Sequence, residues 1–184
     1  MVNILQKDSP ILRQKAKNVP ASLFGTKELS RIVADMKTAL HAEFDGVGLA
    51  APQIGVSYRI FIVAGRVLDS GDSLSETPAL EIEPDWSRDL IFINPVLVKT
   101  SKDKKLQEEG CLSVRPLYGT VRRASRAAVR AQNEKGVSFE RGASGLLAQV
   151  FQHELDHLEG VLFIDKASNI REIPLEETTE TNLK

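Results

Sequence analysis

Residues 142–160 read Gly-Ala-Ser-Gly-Leu-Leu-Ala-Gln-Val-Phe-Gln-His-Glu-Leu-Asp-His-Leu-Glu-Gly, and their spacing predicts one amphipathic helix. Ser144 stands near its start, and Gly160 is placed just beyond its end, where a left-handed backbone closes the last turn. Leu147, Phe151 and Leu158 share an arc expected to face a core, while Gln149, Gln152, Asp156 and Glu159 share a polar arc. Glu154 lies outside the polar arc, beside Leu147 and Val150. It is therefore expected to be partly desolvated, and such a carboxylate needs a partner or a function.

On the same helix His153 and His157 are four residues apart, which is about 40° around the axis. Both imidazoles can point into one cavity. His153-Glu154-Leu155-Asp156-His157 fits H-E-x-x-H, in which two imidazoles one helical turn apart can bind one metal ion. The plainer reading leaves two histidines at a core edge and pairs Glu154 with an arginine. The position of Glu154 favours the metal. Leu146 and Val150 read as core residues first and pocket walls second.

Outward from this helix, Leu29, Ile32, Val33, Met36 and Leu40 mark one face of an earlier helix, with Thr26 as its N-cap and Gly46 as its stop. Arg59 to Ala64, Leu90 to Val98, Ala127 to Gln132 and Val137 to Glu140 read as strands, the last two around an Asn133–Gly136 turn. Gly65 to Arg88 reads as a long surface loop within one domain. Met1 to Pro20, broken at Ser9-Pro10, reads as an extended arm packed on the body. The segment from Asn169 to Lys184 is acidic and Thr-rich, and is expected to be poorly ordered.

The 184 residues, 42% hydrophobic and 27% charged, suit one globular domain. A net charge of -1 gives no global basic field for nucleic acid. Arg115, Arg122, Arg123, Arg126 and Arg130 read as a solvated strand face. No apolar run is long enough to cross a bilayer, and Lys7, Asp8, Arg13, Lys15 and Lys17 interrupt the first twenty residues. A soluble protein without a signal peptide or membrane partner is expected. The single cysteine, Cys111, excludes an intramolecular disulfide.

A catalytic site of this type usually has three protein ligands and an open position. The metzincin spacing for a third histidine falls on Phe163. A thermolysin-like glutamate would have to be Glu176 or Glu177, in a segment of little helical periodicity. Cys111, in Glu109-Gly110-Cys111-Leu112-Ser113, is the stronger candidate, because the adjacent glycine lets backbone approach a metal. Gly46-Val47-Gly48-Leu49-Ala50-Ala51-Pro52-Gln53 matches a dinucleotide fingerprint literally, but it follows a helix instead of a strand and carries Pro52 where a helix should continue. It reads instead as backbone able to lie against a ligand, ending in an amide.

Together and in this order, the segments Gly46–Gln53, Glu109–Ser113 and His153–His157 resemble the three signature motifs of the peptide deformylases. The resemblance extends over most of Met1 to Lys166. It implies a compact single-domain α+β fold, mixed β-sheets around a central metal-bearing helix, with residues 1–168 as the catalytic domain and 169–184 as the tail. It further implies a metal on Cys111, His153 and His157, with Glu154 as proton carrier and with Gln53 and the Leu112 N–H as stabilisers of an oxyanion. Val47 and Gly48 would align the substrate backbone, and Leu146 and Val150 would line a methionine pocket.

The implied cofactor is one divalent ion, ferrous iron, with zinc, nickel or cobalt as substitutes. The implied partners are N-formyl-methionyl nascent peptides and, transiently, the ribosome in the cytoplasm. The tail lacks the basic C-terminal helix that some members use there. Competing readings are a zinc endopeptidase with a distal glutamate and a non-catalytic, metal-stabilised peptide-binding module.

Overall fold

Residues 60–63, Ile-Phe-Ile-Val, are apolar at every position, as befits a strand covered on both faces. In the computed structural model all four are fully buried. Phe61 and Val63 point to one side, among Phe92, Val150, Phe151 and Leu158. Ile60 and Ile62 point to the other, among Leu29, Met36, Leu40 and Leu49. The period of two along one short strand thus divides the core between two helices.

The structure describes residues 2–68 and 86–173. In chain order its main elements are α1 (Lys27–His41), β1 (Gly48–Ala50), β2 (Ile60–Val63), β3 (Leu90–Thr100), β4 (Lys104–Gly110), β5 (Leu117–Ala124), β6 (Arg126–Gln132), β7 (Ser138–Ser144), α2 (Gly145–Leu158) and β8 (Ser168–Glu172). One sheet has the order β1-β2-β3-β6-β7 and a second the order β4-β5-β8. Every strand pairing in them is antiparallel, and among the described residues the one parallel contact is the isolated Lys17–Tyr58 bridge. The fold is α+β, with α2 packed against strands of both sheets. Around Phe92, the rings of Phe61 and Phe151 lie 4.5 and 5.0 Å away, stacked and edge-on respectively.

α1 starts where its cap predicts, the Thr26 hydroxyl accepting from the Leu29 N–H at 3.3 Å. It ends at His41, five residues before Gly46, so the expected stop lies in the loop that follows. α2 begins at Gly145; Gly142 to Ser144, expected within the helix, complete β7 by pairing with β6. Gly160 has φ +76°, and a Cβ there would lie 2.8 Å from the Arg13 carbonyl, so only glycine fits where the arm crosses the helix end. The arm itself is fixed by backbone bonds from Ala16 to Leu158 and from Lys17 to Ser57.

One expectation about the outer parts needs correction. The boundary at residue 168 falls on the first residue of β8, so the ordered sheet continues to Glu172, held by pairing with β5 and by an Arg171–Glu108 ion pair at 2.7 Å. Backbone pairing there outweighs a composition that suggested a free tail. The rest of that segment, from residue 174, lies outside the described residues, as do residues 69–85 of the expected loop. The two ends of that loop are close together, with the Asp89 carboxylate accepting from the Gly65 N–H at 3.0 Å. Among the described residues no helix is long and apolar enough to cross a membrane.

Candidate metal centre

Helical spacing places His153 and His157 on one side of α2, with ring centroids 5.0 Å apart. The turn after β4 brings Cys111 to them, and its Sγ lies 3.2 Å from His157 Nε2. The ligand atoms of Cys111, His153 and His157 all lie within 4.8 Å of one another. A thiolate and two imidazoles converging in this way fit a tetrahedral ion with its fourth position open. Phe163 packs in the core, its ring 6.3 Å from that of His153. Glu176 and Glu177 lie outside the described residues.

Burial sets the electrostatics, and the partners decide its direction. Glu109, two residues before Cys111, is 4% exposed. Desolvation opposes its charge, but Arg123 donates to both carboxylate oxygens at 2.7 and 2.9 Å and His153 Nδ1 lies 3.0 Å away. The carboxyl is held at about 2. Arg123 also reaches Asp156 at 2.7 Å, and Asp156 takes Lys166 at 2.6 Å. The chain Lys166–Asp156–Arg123–Glu109 thus ends on the outer nitrogen of His153. That contact fixes the ring and makes its other nitrogen a better donor.

Glu154 differs. It is 3% exposed, and its Oε2 has no hydrogen-bond partner. Burial, with Glu109 adding to it and His153 opposing it, pushes its carboxyl up to about 7. Its other oxygen rests against backbone: a Cβ added at Gly48 would lie 2.6 Å from Glu154 Oε1 and 2.9 Å from Val150 Cγ1. Glycine at position 48 is what admits the carboxylate. For His157, 1% exposed, burial and then the neighbouring His153 move the imidazole well below its usual range, toward the neutral form that ligates. For His153 burial acts the same way, but hydrogen bonds to Cys111 and Glu109 prevail and raise it.

Gln53 arrives on a 3-10 turn, Ala51–Ile54, that directly follows β1. Its Oε1 accepts from the Ala50 N–H at 2.8 Å, which leaves the NH₂ facing Ser113 Oγ at 3.0 Å and Cys111 Sγ at 3.6 Å. One backbone donor therefore orients the amide. A cavity of about 310 Å³ opens beside these groups. It is lined by Gln53, Cys111, His153 and Glu154, and also by Val47, Gly48, Leu112, Leu146 and Val150. His157 stands behind Cys111.

Sequence reading missed the support of the site. Arg123 was expected on a solvated strand face together with Arg115, Arg122, Arg126 and Arg130; Arg122, Arg126 and Arg130 are exposed, whereas Arg115 precedes β5 and pairs with Glu43 and Asp45, and Arg123 is 4% exposed and doubly paired. The available signal was the alternation Gly119, Val121, Arg123, which puts the arginine on the buried side of β5. Glu109 carries no such signal: it is the one buried side chain of β4.

Residues 1–172 match the family model described as polypeptide deformylase. The chain belongs to the polypeptide deformylase family. A peptide deformylase of Halothermothrix orenii is 41% identical over 172 residues, covering 94% of this chain and 97% of the relative. Among solved structures, the Met-Ala-Ser-bound class I type b peptide deformylase of Acinetobacter baumannii is similar at 30% identity and a TM-score of 0.75, covering 90% of this chain and 99% of that one. The Thermotoga maritima peptide deformylase gives 33% identity and a TM-score of 0.74, covering 91% and 98%. Deformylases of this family depend on a metal, and the convergent Cys111, His153 and His157 are where this member offers donors for one.

Proposed function

We propose that this deformylase hydrolyses the N-formyl group from the N-terminal formyl-methionine of newly made polypeptides, and that Cys111, His153 and His157 hold its metal. The observation that carries the reading is a buried carboxylate with one oxygen unpartnered, Glu154, beside a thiol and two imidazoles at the wall of a cavity of about 310 Å³. When bound, a divalent ion supplies Lewis acidity, lowering the pKa of water toward neutrality and offsetting negative charge in the transition state. The ion is ferrous iron on the family resemblance, and the donor set also suits zinc, nickel or cobalt.

Glu154 takes a proton from the attacking water as its oxygen bonds to the formyl carbon. A carboxyl at about 7 accepts and releases protons near neutral pH. The Gln53 NH₂ and the Leu112 N–H stabilise the oxyanion of the tetrahedral carbon. Because the Gln53 amide is already oriented by Ala50, it needs no reorganisation as charge develops. Glu154 then gives the proton to the amine as the C–N bond breaks, releasing formate and a free N-terminal methionine. Val47 and Gly48 align the substrate backbone, and Leu146 and Val150 form the apolar wall for the methionine side chain.

Nascent chains as substrate imply work in the cytoplasm, with transient contact at the ribosome. The Acinetobacter baumannii relative with Met-Ala-Ser bound supports a peptide occupant. Formate release from formyl-Met-Ala by anaerobically purified, metal-loaded protein tests the reading. Formate with internal peptide bonds left intact is the expected result; cleavage of internal bonds without formate would assign an endopeptidase instead.

A further inference from the structure

The loop between α1 and β1 forms one lip of the cavity, which Asp45 and Gly46 line from that side and Arg115 from the other. Contacts from three directions hold this lip. Arg66 donates to the carbonyls of Gly46 and, at 3.3 Å, Glu43. Arg115 donates to the Glu43 carboxylate at 2.8 Å and to that of Asp45. Gly46 is packed so closely that a Cβ there would lie 2.8 Å from Leu40 Cδ1. Both neighbours of Phe44 are thereby pinned, yet Phe44 itself is 82% exposed. No other large hydrophobic side chain among the described residues is as exposed.

A single exposed apolar residue ordinarily needs no explanation. This one is a stiff aromatic on a preorganised loop, and such a group loses little entropy on making a contact. We propose that Phe44 is a specificity-determining contact for the substrate beyond the formyl-methionine, packing on apolar side chains as the chain leaves the cavity, and that Arg115 is the residue that positions it. The inference rests on the deformylase reading. The occupant is the substrate's own downstream chain, because the lip is continuous with the cavity that takes its N-terminus. Arg115 and Arg66 together offset the two carboxylates of the lip, so what the lip offers a passing chain is the exposed ring of Phe44, which favours apolar side chains.

The test compares kcat and KM for formyl-Met-Ala and formyl-Met-Ala-Ala-Leu, using full-length, metal-loaded wild type, Phe44→Ala, Phe44→Trp, Arg115→Ala and Arg115→Lys. In the wild type the longer substrate should have a kcat/KM roughly 3- to 10-fold higher, with the gain in KM, as expected for binding remote from the reacting bond. Phe44→Ala should lose most of that gain and Phe44→Trp should keep it. Arg115→Ala should lose part of it, and Arg115→Lys should recover some of the loss. A purely structural role would slow both substrates alike and leave their ratio unchanged. Formate release with no gain on lengthening, or with the same gain in Phe44→Ala, overturns the proposal alone. No formate from either substrate overturns the deformylase reading and the proposal together.

Discussion

On the strand side of the cavity, Glu109 is buried against Arg123 and His153 and its carboxyl is held at about 2; on the helix side, Glu154 is buried with one oxygen unpartnered and its carboxyl rises to about 7. The two are 4% and 3% exposed, so burial does not separate them. Partners do. Two donors keep Glu109 charged and immobile, suited to holding an imidazole in place, while their absence leaves Glu154 able to trade a proton near neutrality. On the mechanism proposed above, two identical side chains thus take a supporting and a chemical role from environment alone.

The sharpest break of this comparison is Glu154→Gln, which preserves shape and removes the proton acceptor. Turnover should fall roughly 10² to 10⁴ fold with metal content unchanged, measured by formate release beside metal analysis. Near-normal turnover would remove Glu154 from proton transfer. On the strand side, Arg123→Met leaves Glu109 and Asp156 without their shared guanidinium. Removing one partner of such a buried pair costs about 3–5 kcal/mol, and losing a ligand's support weakens metal affinity roughly 10- to 100-fold. Urea unfolding and metal titration check both, and no change in either would show that Glu109 does not depend on Arg123.

Gln53→Leu probes the amide that faces Cys111 and Ser113. It should lower the rate constant roughly 10² to 10³ fold while sparing metal binding, in single-turnover assays on formyl-Met-Ala. An unchanged rate constant would exclude the amide from the transition state. The smallest effect concerns an exposed carboxylate for contrast. Burial opposes the charge of Asp165, but Arg13 at 2.5 Å and the Leu162 N–H prevail and lower its pKa from 3.8. A lowered folded-state value means the stabilisation is present above 3.8 and is lost as pH falls through the folded value. With both side chains about two-fifths exposed, Asp165→Asn should cost under about 1 kcal/mol at pH 7. That difference should fade in acid, and a difference that persists there would assign it to packing.

Legibility in the sequence follows the same divide. α2 and α1 were readable because a 3.6-residue period in apolar side chains survives in any helix with one face buried. The groups proposed for the site lie in short, local motifs, and the fold brings them to one cavity and its wall. β4 was not: it is an edge strand whose residues Lys104 to Leu106 and Glu108 are exposed, with Glu109 its one fully buried side chain, so no apolar alternation marks it. Arg123 was hidden for a related reason. Its partners lie 14 and 33 positions away, and only the folded sheet turns a basic stretch of β5 into the anchor of a carboxylate–imidazole pair. Phe44 carries no periodic signal at all, because its exposure depends on contacts made by its two neighbours.

In the proposed site a thiolate completes the metal's protein ligands, with Cys111 Sγ already 3.2 Å from His157 Nε2. Its most direct test is the absorption spectrum of cobalt-substituted protein, recorded with metal content for the wild type and Cys111→Ser. Thiolate ligation should give a sulfur-to-metal charge-transfer band in the wild type, and loss of the band with weakened metal binding in the variant. A wild type without the band, or a Cys111→Ser protein with full metal content and an unaltered spectrum, would contradict it and place the third ligand elsewhere.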